Sequence, residues 1–87
     1  MYQSLATMNT TDLYQLIVSR WEASQRFELL AGLRKAPTGA STGTQGWLLT
    51  WEYLKMQETD NPDAYVEIAD LIVELRSVFR ADGIQLS

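Results

Sequence analysis

Cysteine and histidine are both absent from this chain of 87 residues. Without cysteine no disulfide can staple the fold, which fits a cytoplasmic setting, and no thiolate is available as a nucleophile. Without histidine there is no imidazole base and no zinc-finger or haem-type ligand. The carboxylate-bridged di-iron pattern needs Glu-x-x-His and fails for the same reason. Long apolar runs are missing too: no stretch approaches the ~20 residues that a membrane span requires. Residues 1 to 8 lack a basic start followed by an apolar run, so no secretory leader is expected. Positive charge is in the minority, with seven bases against eleven acids and a net charge of −4. An acidic chain repels phosphates, so direct nucleic-acid binding is not expected.

What is present points to a small helical domain. Hydrophobic residues make up 46% of the chain, ordinary for a protein that folds. A chain of this length makes one domain and buries only ~60% of its unfolded surface, which leaves a marginal core. The aromatics, three of them Trp, help, because each large ring can bury ~150–250 Å².

Apolar spacing predicts three helices, an all-α fold with two long helices around a shorter one. Helix A is expected over about 10–35. Asn9 is placed to cap it, Asp12 suits its positive end, and Arg34 and Lys35 suit its negative end. Its apolar positions run from Leu13 to Ala31 and cover more than half of the helical circumference, which implies contacts on two sides. Pro37 ends it. Residues 36–45 read as a Gly/Thr loop in which Thr42 and Gln45 have capping-box spacing, so the next helix can begin inside it. Helix B is expected over about 46–58, with Trp47, Trp51 and Leu54 on one face and Leu49, Tyr53 and Met56 on another. Helix C is expected over about 62–82. Pro62 starts it with Asn61 as cap, and Gly83 followed by Ile84 closes it in Schellman fashion. A thinner apolar stripe, Val66, Ala69 and Val73, lies away from its main face.

Several motifs invite chemistry and each has a plainer reading. Asp63, Glu67, Asp70 and Glu74 recur at spacings of four, three and four, which places four carboxylates along one helix face. Such a face is usually only solvated. Its sharper reading is a polyanion surface that imitates the phosphate spacing of a nucleic acid. Asp60-Asn61-Pro62-Asp63 lacks the spacing and glycine of a calcium loop. Gly39 and Gly43 are one residue too close for a P-loop, and Thr44 stands where lysine is needed. Helices B and C could form a helix-turn-helix, but its second helix would carry acids toward DNA. Carboxylates can catalyse without histidine, yet an outward acidic row offers no cleft to tune them, so no enzymatic activity and no cofactor or metal are expected.

The reading that follows is a non-catalytic interaction or assembly module. It docks on a protein partner through spare apolar helix faces, as a homo-oligomer or as a subunit of a larger complex. Trp21, Trp47, Trp51 and Tyr53 are the expected apolar anchors, and Trp51→Ala is expected to weaken assembly more than folding. The alternative is an acidic inhibitor or nucleic-acid mimic that sets Asp63, Glu67, Asp70 and Glu74 against a basic protein.

Overall fold

The computed structural model describes residues 8–86. The domain is all-α, with α1 at Thr10–Ala23, α2 at Phe27–Lys35, α3 at Gly43–Asp60, α4 at Pro62–Val66 and α5 at Ala69–Ala81. Each of the three expected helical regions is helical. Two of them are interrupted, and the interruptions shape the molecule.

Helix A divides into α1 and α2 at Gln25, whose φ is 63°. The Arg26 N–H donates to Trp21 O at 2.8 Å and the Gln25 N–H to Glu22 O at 3.1 Å. These two bonds make a Schellman stop with glutamine in the left-handed position that glycine usually takes. The same device ends α5, where it was signalled: Gly83 has φ 80°, and Ile84 donates to Phe79 O at 2.9 Å.

Helix C divides into α4 and α5 at Ile68, which has φ −123° and ψ 9°. Its N–H bonds Tyr65 O at 3.0 Å, so Ala64 O loses its helical donor. The indole N–H of Trp21 takes that carbonyl at 3.0 Å. Glu67 O, just ahead of the first turn of α5, accepts from Arg20 at 3.0 Å. A buried backbone group without a partner is costly, and α1 supplies both donors.

The caps are partly those expected. Asn9 accepts from the Asp12 N–H at 2.8 Å. Thr42 accepts from the Gln45 N–H at 3.0 Å, which starts α3 three residues earlier than the core helix B estimate. The Gln45 side chain returns to the Ser41 N–H at 2.8 Å, one residue outside the usual box. Pro62 opens α4. Asn61 does not cap it with its side chain, which donates instead to Gln57 Oε1 at 2.6 Å.

The core joins all five helices. Leu13, Ile17 and Trp21 from α1 meet Leu30 and Leu33 from α2, Trp51 and Leu54 from α3, Ala64 and Tyr65 from α4, and Leu71, Ile72, Leu75 and Phe79 from α5. Main packing is α1 on α5, α3 on α4, and α2 between α1 and α3. The body is flat, 39 × 32 × 19 Å. No helix among the described residues is long and apolar enough to cross a membrane.

Candidate docking surface

The four aromatic residues chosen from the sequence occupy two different environments. Trp21 is 0% exposed and Trp51 is 3% exposed, so neither offers surface to a partner. Trp51 stands edge-on to Phe79, ring centroids 5.9 Å apart at 80°. Its ring belongs to the closed core, so Trp51→Ala removes packing from the fold itself, whereas spacing alone led to the expectation that the change weakens assembly more than folding. The bend at Gln25 turns both sides of helix A, Trp21 included, into one interior.

Trp47 and Tyr53 are half-buried. Tyr53 lies against α2, its hydroxyl donating to Leu29 O at 3.0 Å, and burial pushes that phenol above its usual range. Trp47 packs edge-on to Tyr14 at 5.8 Å and tilted against Phe79 at 6.1 Å. Tyr14 and Trp47 border a cleft of about 390 Å³ with Pro37, Ala40, Gly46 and Thr50, near the low end of the ~300–1,000 Å³ range of ligand pockets.

The carboxylate row does not form one straight face. The break at Ile68 separates its halves, and its two middle members are occupied within the chain. Glu67 pairs with Arg26 at 2.8 Å and accepts from Ser24 Oγ at 2.6 Å. Asp70 takes Arg20 in a forked pair at 2.5 and 3.1 Å. These bonds latch the Gln25 bend onto the Ile68 bend. Asp63 and Glu74 make no ion pair among the described residues. A third pair, Lys55 with Glu58 at 3.3 Å, sits where the Lys55 ammonium also meets the Tyr65 hydroxyl at 3.1 Å and the faces of Tyr65 and Trp51.

The latch has a pH signature. The hydrogen bond from Arg26, then that from Ser24, holds the Glu67 carboxyl below its ordinary range, and the bond from Arg20 does the same for Asp70. A carboxyl with a depressed folded pKa stabilises the fold above its unfolded pKa, and that stabilisation is lost as pH falls through the folded value. Stability should therefore be level above about pH 5 and fall below about pH 4.5, the unfolded Glu range. Melting curves of the parent and of Glu67→Gln check this. The variant is expected to be less stable at neutral pH and to lose less on acidification, and parallel acid slopes would contradict it.

What the fold leaves outside is apolar as well as acidic. Phe27 is 63% exposed, Met56 50%, Val66 73% and Val73 67%. Phe27 opens α2, next to the bend, and shares a shallow depression with Arg26, Glu28 and Asn61. Val66 and Val73 belong to the thin stripe of helix C, and Ala69 between them is partly covered. Phe27 was not singled out by spacing, because an unbroken helix A places it within a continuous apolar band. No family description, curated protein or solved structure matches this chain.

Proposed function

We propose that this protein is a non-catalytic docking module that associates with copies of itself through apolar side chains its own fold leaves uncovered. The observation that carries the reading is the exposure of Phe27, Met56, Val66 and Val73, each half exposed or more, on a chain whose core is otherwise closed. Single exposed apolar residues are common on any surface. Here four large ones stand on a flat domain of 87 residues, one on each of α2, α3, α4 and α5, and removing such apolar area from water favours association. The four sequence-chosen aromatics divide accordingly: Trp47 and Tyr53 remain accessible, and Trp21 and Trp51 act as core.

The acidic-inhibitor reading is less well supported. Of Asp63, Glu67, Asp70 and Glu74, the middle two are held by Arg26 and Arg20 and are not free to meet a basic partner.

Self-association stabilises the folded state by mass action, since only folded copies bind. The melting temperature is therefore expected to rise as chain concentration rises. A melting temperature that stays constant from dilute to concentrated solution would overturn the reading.

A further inference from the structure

We infer that copies of this chain join head to tail, with the exposed Phe27 of one copy seated in the Tyr14–Trp47 cleft of the next. The inference rests on the docking reading above and names its surfaces and its partner, a second copy of this chain.

Charge is the first argument. Three of the seven bases, Arg20, Arg26 and Lys55, are paired with Asp70, Glu67 and Glu58. The other four, Arg34, Lys35, Arg76 and Arg80, make no ion pair among the described residues. Arg34 and Lys35 lie in the last turn of α2, with only Ala36 between them and Pro37 of the cleft wall. Arg80 is in the last turn of α5, next to Phe79, which packs on Trp47. Three of these unpaired bases, Arg34, Lys35 and Arg80, thus lie toward the end of the molecule that holds the cleft, and Arg76 stands near the middle of α5.

The opposite end is acidic. Phe27 is followed by Glu28, and Glu22 lies just before the bend. Phe27 shares its depression with Asn61, which stands between Asp60 and Asp63. Glu22, Glu28, Asp60 and Asp63 are all exposed, and none is in an ion pair among the described residues. Asp12 and Asp82 lie toward the cleft end, which with Arg34, Lys35 and Arg80 leaves one net positive charge there against four net negative around Phe27. Glu52, Glu74 and Arg76, in the middle, complete the net charge of −4.

Shape is the second argument. The Phe27 ring is the most exposed aromatic group among the described residues, and the cleft offers two aromatic walls and about 390 Å³. Rings prefer edge-to-face meetings of the kind Tyr14 and Trp47 already make. Both features are tied to α2, Phe27 at its first residue and the basic turn at its last. One helix therefore points a ring with an acidic collar one way and a basic collar the other. The matching surfaces are different patches, so the contact is heterologous, and repeating it builds a ring or a filament.

Two variants separate this contact from every other. Phe27→Ser removes the ring and leaves the cleft. Gly46→Leu fills the cleft and leaves the ring. A Cβ at Gly46 meets only Pro37 Cβ at 3.5 Å and Ala40 Cβ at 3.8 Å, ordinary contacts, so the fold can hold a side chain there. Circular dichroism confirms that each variant is folded. By light scattering, each variant alone is expected to self-associate more than about tenfold more weakly than the parent, the loss that follows removal of an interface anchor. An equal mixture is expected to form a one-to-one dimer and stop, because one cleft and one ring remain. That dimer should weaken as salt rises. If the parent associates and neither variant changes it, or if mixing restores nothing, the head-to-tail contact is wrong and the docking reading survives on another face. If the parent is a monomer at every concentration, both fall.

Discussion

Replacing Trp21 with alanine is expected to leave most of the chain unfolded at room temperature. Two losses combine. Trp→Ala in a closed core costs ~3–5 kcal/mol, and Trp21 is fully buried. Its indole also holds Ala64 O, the carbonyl released by the break between α4 and α5, and a buried acceptor without its donor costs ~1–3 kcal/mol. A domain of this size has only ~5–15 kcal/mol in hand, toward the lower end. Trp21→Phe keeps much of the apolar volume and loses the N–H, so its cost should be intermediate. Urea unfolding of the three proteins checks the order. A Trp21→Phe midpoint equal to the parent's would mean that the indole bond does not hold the break in place.

The second large effect is expected from the smallest change. Gly32 lies inside α2, where alanine would ordinarily stabilise a helix by ~1 kcal/mol. Here a Cβ would run into the Tyr53 ring, reaching Cζ at 2.7 Å and Cε1 at 2.9 Å, with the hydroxyl closer still. The ring cannot yield without releasing Leu29 O. Overpacking of this kind costs ~1–3 kcal/mol, so Gly32→Ala should destabilise despite its better propensity. Placing the same change in a Tyr53→Ala background should reverse its sign. A stabilising Gly32→Ala in the parent would mean that α2 and α3 are less closely docked than the Tyr53 contact requires.

The sequence made the helical regions plain and hid the bends. Asn9, Thr42, Pro62 and Gly83 are punctuation with a physical mechanism, and each marks a real terminus. Gln25 gives no such sign. Glutamine seldom adopts φ 63°, because its Cβ crowds the backbone there, so the stop depends on packing that spacing does not reveal. Ile68 is hidden for a similar reason: its break is sustained by Trp21 and Arg20, over forty residues away in the chain. Once helix A bends, both of its apolar sides enter one core, with α1 on α5 and α2 on α3. Much of the apolar surplus read from the wheels is absorbed in that way.

The same bends decide the candidate surface. They bring Arg26 and Arg20 onto Glu67 and Asp70, which divides the acidic row. They also leave Phe27 at a helix start with its ring in solvent. Periodicity could separate Trp47 from Trp51 no better, since both lie on one face of helix B and differ in what reaches them. Phe79 packs on both rings, but Trp51 is closed within the core, whereas Trp47, nearer the start of α3, keeps an open side toward the cleft.

The solution mass of the unmodified chain, by light scattering over a range of concentrations at low and high salt, tests the central claim most directly. A mass that climbs above the 9.9 kDa of one chain as concentration rises, and climbs less in high salt, is the predicted result. A mass of one chain at every concentration in both salts would contradict self-docking through the uncovered apolar surface.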